Sequence, residues 1–368
     1  MFSGRAERRL RPWTLPLRRR GASRRKGRGS GHAPPAGYSR AGQLRDCALS
    51  SIITIAMATY NGARYLPPQL DSILAQQGVE WRLLVSDDGS TDGTLDILDG
   101  YARRHPGRIA VIQGPRQGAT RNFLHLIAKA DPRGWVAFAD QDDLWRPGKL
   151  ARAARWLEGQ HGPAVYAART TICDENLREL APAPHFPGPF GFRNALVQAC
   201  LPGNTTVANG GALRLMQAAA GAAAAADVIS HDWWVYQLMS GAGAAIHRDA
   251  AQVVLYRQHR ENLMGRNDTA KARAARLSML FDGRFADWLA RNQRALEPVA
   301  DLLTQENRAI LQRFGALLES RGPRALSAAL ALGLYRQTRA GSWAIRAAAL
   351  AGRLRTRSPA PAAFGKAG

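Results

Sequence analysis

The chain has 368 residues, a formal net charge of +23 and 46% hydrophobic residues. That length buries a sizeable core and holds one large domain or two smaller ones, which excludes a peptide-sized or wholly disordered protein. Its three cysteines, Cys47, Cys173 and Cys200, are odd in number and stand at no metal-binding spacing, which argues against a disulfide framework and for a reducing, cytoplasmic compartment.

Residues 1–45 hold thirteen Arg or Lys against the single acid Glu7, so about half of the net charge sits in this short head. Its Gly, Pro, Ser and Arg content does not repay the entropy of ordering, and residues 1–48 are expected to form a disordered basic extension. No long apolar core follows the Arg clusters, which argues against a secretory signal. An organellar transit peptide, a segment that binds nucleic acid or anionic lipid, and an extension without function all fit the same composition.

From residue 52 onward, short β-rich runs alternate with helical periods, the signature of a layered α/β domain. The expected strands are residues 52–58, 81–86, 109–113 and 135–139. Leu70, Ile73 and Leu74 mark the first helix, and residues 94–98 open a second that stops at His105-Pro106-Gly107. Phe123, Leu126 and Ile127 mark a third, and Pro147 is expected in the first turn of a fourth. Right-handed crossovers between four such βα units place every strand C-terminus on one edge, where open α/β sheets bind their ligands.

Beyond about residue 160 the rhythm changes. Residues 164–173 and 252–256 read as strands, residues 182–189 as a Pro-rich loop bordering an acceptor cleft, and residues 227–239 as the start of an aromatic-rich helix. From about residue 270 the chain is Ala, Leu and Arg in helical periods, with Leu326, Leu330 and Leu334 spaced by four, then Trp343, Ile345 and Leu350. Such a tail is expected to be helical packing whose basic face is either solvated, the preferred reading, or rests on a membrane surface. The apolar stretch 325–335 is about half of the roughly 20 residues that span a bilayer, so no transmembrane helix is expected.

Two acidic segments follow predicted strands. In Asp140-Gln141-Asp142-Asp143 three carboxylates crowd the end of the apolar run 135–139. Like charges so close repel and call for a cation, and a hard divalent ion takes one or two carboxylates and completes its shell with substrate phosphates. A solvated acidic turn is the plain alternative. The second segment, Ser86-Asp87-Asp88-Gly89-Ser90-Thr91-Asp92, shifts the balance, because two such sites suit one nucleotide bound at both.

Together with Ala58-Thr59-Tyr60-Asn61-Gly62, these segments resemble the donor-binding half of an inverting family 2 glycosyltransferase of the GT-A fold, over about residues 50–265. The resemblance implies that Thr59, Asn61 and Asp88 bind the base and ribose of a nucleoside diphosphate sugar. Asp88 is suited to accept the imide N–H of uracil or thymine. Asp87 and Asp92 are alternatively helix caps, the preferred role for Asp92. The DXD-like element implies that Asp140 faces the ribose or metal and that Asp142 or Asp143 holds Mg²⁺ or Mn²⁺ on the diphosphate, a Lewis acid for the departing nucleotide. Trp145 and Pro147 fit the same signature.

The acceptor hydroxyl needs a base, and the resemblance assigns it to Asp232 in His231-Asp232-Trp233-Trp234. Its plain alternative is a helix cap. Tyr256-Arg257-Gln258-His259 together with residues 262–265 is similar to rhamnosyltransferase-like members, which implies that Arg257 or His259 pins the diphosphate, His259 through the metal. Arg116, Arg121 and Asn122 are candidates for phosphate or sugar contacts or for a solvated basic face. The processive-synthase signature Gln-x-x-Arg-Trp is absent, so transfer of one sugar per encounter is expected.

The expected fold is α/β, a Rossmann-like mixed sheet of the GT-A kind flanked by helices, with a helical C-terminal extension. The expected division is residues 1–48, a glycosyltransferase domain over 49–268 and a helical region over 269–368. The expected function is transfer of a sugar, rhamnose among the candidates, from a UDP- or dTDP-linked donor to a glycan or glycolipid acceptor of the cell envelope. The location that follows is the cytoplasm, with peripheral contact at the inner face of the membrane. One rival is a nucleotidyltransferase, which calls for a Gly-rich basic phosphate loop that Thr59-Tyr60-Asn61-Gly62 does not provide. Another is nucleic-acid binding through the head, whereas the motifs of the folded part are acidic and imply no specific nucleic acid.

Overall fold

A nine-stranded mixed sheet organises the chain in the computed structural model, which describes residues 52–259 and 283–355. Expectations for the basic head, for residues 262–265 and for the first part of the helical tail lie outside the described residues. The strands are β1 (Ile53–Thr59), β2 (Trp81–Asp87), β3 (Ile109–Gln113), β4 (Trp135–Ala139), β5 (Leu144–Trp145), β6 (Ala164–Cys173), β7 (Glu179–Pro182), β8 (Val207–Ala208) and β9 (Ala245–Arg257). They lie in the order β3-β2-β1-β4-β8-β6-β9-β5, with β7 paired to β6.

The first four strands run parallel and start and stop within a residue of the predicted bounds. The runs of β1 and β4 are apolar because both faces are covered, whereas edge strand β3 buries only Ile109. In β1 the side chains alternate, Ile53, Ile55 and Met57 entering one core and Ala56 the other. Beyond β4 the sheet turns mixed: two-residue β8 is antiparallel to both β4 and β6, β9 runs parallel to β6, and β5 pairs antiparallel with β9.

Helices α1 (Leu66–Leu74), α2 (Thr94–Arg104) and α4 (Lys149–Leu157) cover one face, burying Leu66, Leu70, Ile73, Leu98, Leu150 and Leu157. The opposite face is covered by α3 (Ala119–Lys129), α5 (Phe192–Ala195), α6 (Gly210–Ala225) and α7 (His231–Gly241). The C-terminal helices are α8 (Arg284–Leu296), α9 (Gln305–Glu319), α10 (Gly322–Ala331) and α11 (Arg339–Leu350). Their Leu289, Phe314, Leu317 and Ile345 belong to that same second core. Among the described residues no helix is long and apolar enough to cross a membrane.

Three expectations shift. Helix α4 starts at Lys149 behind a left-handed Gly148, so Pro147 precedes the helix rather than sitting in its first turn. Helix α7 starts at His231 because Asp227 is left-handed, with φ of 53°, and Ser230 is extended. In α10 the buried residues are Ala325 and Ala329, and Leu330 of the expected Leu stripe points outward.

Candidate active site

The loops that leave the C-terminal ends of β1, β2 and β4 are bonded to one another, which builds the site edge from three separate stretches of sequence. After β1, Asn61 adopts a positive φ of 46°, and its side-chain oxygen accepts the Thr91 amide at 2.8 Å while its own amide donates to Ser90 Oγ. The Gly62 amide donates to Thr94 Oγ1, and the Ala63 amide to Asp92. Tyr60 exchanges two hydrogen bonds with the Gln141 side chain, its amide donating at 2.9 Å and its carbonyl accepting at 3.0 Å. A Cβ at residue 62 would overlap the Gln141 side-chain amide, so glycine there leaves room for the Gln141 bonds to Tyr60.

The carboxylates after β2 are engaged by the protein itself. Asp87 accepts the Thr59 hydroxyl at 2.9 Å and the hydroxyl and amide of Ser90. Thr59 is buried and its hydroxyl turns inward, so it does not offer the donor contact expected of it. Asp88 accepts the amides of Arg116 and Gly118, one on each oxygen at 2.7 Å, and thereby ties the β3–α3 loop to the end of β2. Each oxygen keeps a further lone pair, and Asp88 is 7% exposed, so any base must reach it inside the loop it holds. Asp92 accepts the Thr94 amide at the start of α2, the expected capping contact, and these bonds hold its carboxyl below the ordinary range. Asn122 is buried and donates to the Ser86 carbonyl, and Arg121 pairs with Asp227, so neither faces the acidic site.

The segment after β4 divides its three carboxylates. Asp143 is fully buried, accepting Asn204 Nδ2 at 2.6 Å and the Arg257 amide at 3.3 Å. With both oxygens engaged and no exposure it is an internal anchor, which corrects its assignment as a metal ligand. Burial, then the charges of Asp142 and Asp140, push its carboxyl well above the ordinary range. Asp142 lies 2.7 Å from His259 Nε2 through one oxygen, and its other oxygen has no protein partner among the described residues. No hydrogen bond reaches the Asp140 carboxylate among the described residues either. Burial, with Asp142 and then Asp232 as neighbouring charges, pushes its carboxyl up to about 7.

Arg257 clamps this segment by donating to the carbonyls of Asp142 at 2.8 Å and Glu175 at 2.6 Å, with its guanidinium over the Tyr65 ring. It is 5% exposed, so it shapes the acidic turn and does not lie open to a ligand. Beneath the cluster, Lys149 is buried with no hydrogen-bond partner for its amine, which sits 3.4 Å from the centroid of the Trp145 ring. Burial drives its amine down to about 7 against the pull of Asp143 and Asp140.

Asp232 opens α7, where one oxygen accepts the Trp233 amide at 2.7 Å and the other the Gly203 amide at 3.3 Å. It is half-buried and within electrostatic reach of Asp140, so the expected base lies beside the acidic cluster. His231 stacks on Phe123 at 3.9 Å, and burial pushes its imidazole down to about 4, which makes it a neutral core residue.

Gln141, Lys149, Asn204 and Gly62 organise the cluster without having been named as site residues from the sequence. Gln141 and Gly62 stood inside quoted motifs, but their mutual contact spans 79 positions of chain. Lys149 carried one signal, a cation seven residues beyond the acidic triplet's Asp142 at the start of a helix. Among the described residues no group of three or more His, Cys, Asp or Glu converges as a ready-made metal cage.

Residues 54–219 match the profile of Glycosyl transferase family 2, a span that contains the loops after β1, β2 and β4. Over this stretch, a little under half of its 368 residues, the chain is similar to members of that family. It is 29% identical over 230 residues to the dTDP-rhamnosyl transferase RfbG of Shigella flexneri, covering 61% of this chain and 78% of that one. Three further curated family relatives are matched over half of their own length or less. Solved structures with a similar course include S. aureus TarS 1-349 in complex with UDP-GlcNAc, at 16% identity and a TM-score of 0.44, covering 76% of this chain and 90% of that one. Another is the mannosyltransferase PcManGT from Pyrobaculum calidifontis in complex with GDP-Man and Mn²⁺, at 18% identity and a TM-score of 0.46, covering 82% and 85%.

Proposed function

We propose that this family 2 enzyme moves a sugar, rhamnose from dTDP-rhamnose, onto a cell-envelope or polysaccharide acceptor with inversion at the anomeric carbon. The observation that carries the proposal is the pair Asp140 and Asp142 at the C-terminal end of the parallel strands, with Asp232 beside them: among the described residues the Asp140 carboxylate receives no hydrogen bond, and Asp142 bonds His259 through one oxygen only. Two carboxylates without protein cations on their free oxygens call for positive charge from a ligand. Likeness to the rhamnosyl transferase supports the donor.

The donor set fits a divalent ion. Asp142 and His259 bring an oxygen and an imidazole nitrogen to one point, and an ion of the Mg²⁺ or Mn²⁺ type takes one or two protein ligands plus phosphate oxygens rather than an all-protein cage. Asp142 and His259 would hold the ion, and Asp140 would face the ribose or the metal. When bound, the ion supplies Lewis-acid stabilisation of the charge that develops on the departing diphosphate.

The chain's own residues do the rest. Asp88, through the loop it fixes, and Asn61 border the base and ribose. Arg257 holds the acidic turn in shape through its two carbonyl contacts. Asp232 takes the proton of the acceptor hydroxyl as that oxygen attacks the anomeric carbon opposite the diphosphate, so that a single displacement inverts the centre. The backbone amides of Trp233 and Gly203 fix the direction of its carboxylate. Residues 49–268 carry this chemistry in the proposal.

Incubating the purified protein with a panel of nucleotide sugars, with and without Mn²⁺ or Mg²⁺, tests the reading without an acceptor. Metal-dependent release of dTDP from dTDP-rhamnose, faster than release from the other donors, supports it. Equal rates with a chelator present, or preference for a purine-linked sugar, refute it.

A further inference from the structure

The most exposed large hydrophobic side chain among the described residues, Trp343, lies far along the chain from the donor motifs, on α11. This helix buries Ile345, Ala348 and Ala349 against the core. On its outer side Trp343 is 66% exposed and Leu350 47%, one helical repeat of seven residues apart. Residue spacing puts Ala347, also exposed, between them on the same stripe. Arg339 and Arg346 repeat at the same interval alongside, and the Arg346 guanidinium lies 5.0 Å from the Trp343 ring centroid. A groove of about 570 Å³ at the C-terminal end of the helix is lined by Arg321, Pro323, Leu350 and Arg355.

Charge decides what such a surface meets. From Ser320 to the end of the sequence there are nine Arg or Lys and no Asp or Glu. A second copy of the chain would set arginine rows against each other across a two-fold contact. An anionic bilayer attracts the arginines, accepts the Trp343 ring at the headgroup level and takes the Leu350 side chain into the acyl boundary. With 12 residues, α11 is about 18 Å long, too short for the roughly 30 Å hydrocarbon layer, so it lies in the plane of the interface.

We propose that α11 docks the enzyme on an anionic phospholipid membrane through Trp343, Leu350, Arg339 and Arg346. This surface does not depend on the donor chemistry, so its test stands apart from that of the proposed transfer.

The experiment is flotation of the full chain with vesicles of phosphatidylcholine alone or mixed with phosphatidylglycerol. The wild type is expected to float with the anionic vesicles only and to be released by salt. Trp343→Gln/Leu350→Gln is expected to weaken partitioning roughly ten-fold or more. Arg339→Gln/Arg346→Gln is expected to weaken it by roughly five-fold for each arginine. All these side chains are on the outer side of the helix, so thermal melting of both variants should match the wild type. Quenching by brominated acyl chains, lost in Trp343→Phe, identifies the ring that inserts. Absence of binding to anionic vesicles overturns the proposal, as does undiminished binding of Trp343→Gln/Leu350→Gln, which would assign the interaction to the basic head. Binding of equal strength to neutral vesicles would remove the arginines from it.

Discussion

The Asp142 carboxylate and His259 Nε2 lie 2.7 Å apart although 117 residues separate them in sequence. One follows the fourth parallel strand and the other follows β9, so the contact closes the sheet's ligand edge across its mixed half. Asp143, next in sequence to Asp142, turns into the protein instead. Neighbouring carboxylates thus separate into a buried anchor and one that keeps an oxygen without a partner among the described residues.

That separation predicts opposite phenotypes. Asp143→Ala leaves the Asn204 amide and the Arg257 N–H without their acceptor, which costs roughly 1–3 kcal/mol per buried unsatisfied group. Its melting temperature should fall by several degrees. Asp142→Asn should melt within a degree or two of the wild type and lose its response to Mn²⁺. Thermal unfolding of the two variants, with and without metal, checks the assignment.

The Gly62–Gln141 contact predicts a coupled pair. Gly62→Ala should displace the Gln141 side chain and break both of its bonds to Tyr60, weakening donor binding about ten-fold by loss of roughly 1–2 kcal/mol. In a Gln141→Ala background the same alanine meets no amide and should cost little more. Calorimetry on the double-mutant cycle reads the coupling, and additive losses would place the Gly62 effect elsewhere.

Much of the fold was legible, and the site only in outline. The bounds of β1 and β4 followed from apolar runs buried on both faces, because that environment leaves a direct trace in composition. Strands β5 and β8 have two residues each and leave no period to read. Helix α6 escaped because an Ala-rich run has little contrast between its faces. The acidic motifs showed where the ligand edge lies, but not which carboxylates are inward. That depends on partners such as Asn204 and Arg257, brought in by strands far along the chain.

Protonation of Asp140 should register in stability. Its carboxyl is raised from 3.8 to about 7 by burial and then by Asp142 and Asp232. Over that interval the folded state retains a proton that the unfolded chain has released, so the stability present below about pH 4 is lost as pH rises through about 7. Asp140→Asn removes this dependence, and its melting temperature relative to wild type should climb from acid toward neutral pH. A difference that stays flat would place the Asp140 titration in the ordinary carboxylate range. Mn²⁺ should stabilise the wild type more at neutral pH than in acid, where protons compete for the same oxygens.

Asp232→Asn separates catalysis from capping. Asn keeps an acceptor for the Trp233 amide at the start of α7 but takes no proton from the acceptor hydroxyl. Turnover with a verified acceptor should fall by roughly 10² to 10⁴ with donor affinity nearly unchanged. Near wild-type transfer would remove Asp232 from the mechanism. His231 would not replace it, since its ring is packed between Phe123 and Phe138 and burial pushes it down to about 4, which leaves it a weak base away from the acceptor.

The central claim is that Asp142 and His259 together bind a divalent ion on a nucleoside diphosphate. Titration calorimetry of dTDP and UDP into the wild type, Asp142→Asn and His259→Ala, each with Mn²⁺ and with a chelator, tests it most directly. The account predicts that Mn²⁺ tightens binding to the wild type by about ten-fold or more, that Asp142→Asn abolishes this gain and that His259→Ala reduces it. Equal affinity of the wild type with Mn²⁺ and with chelator, or a full Mn²⁺ gain retained in both variants, would contradict it.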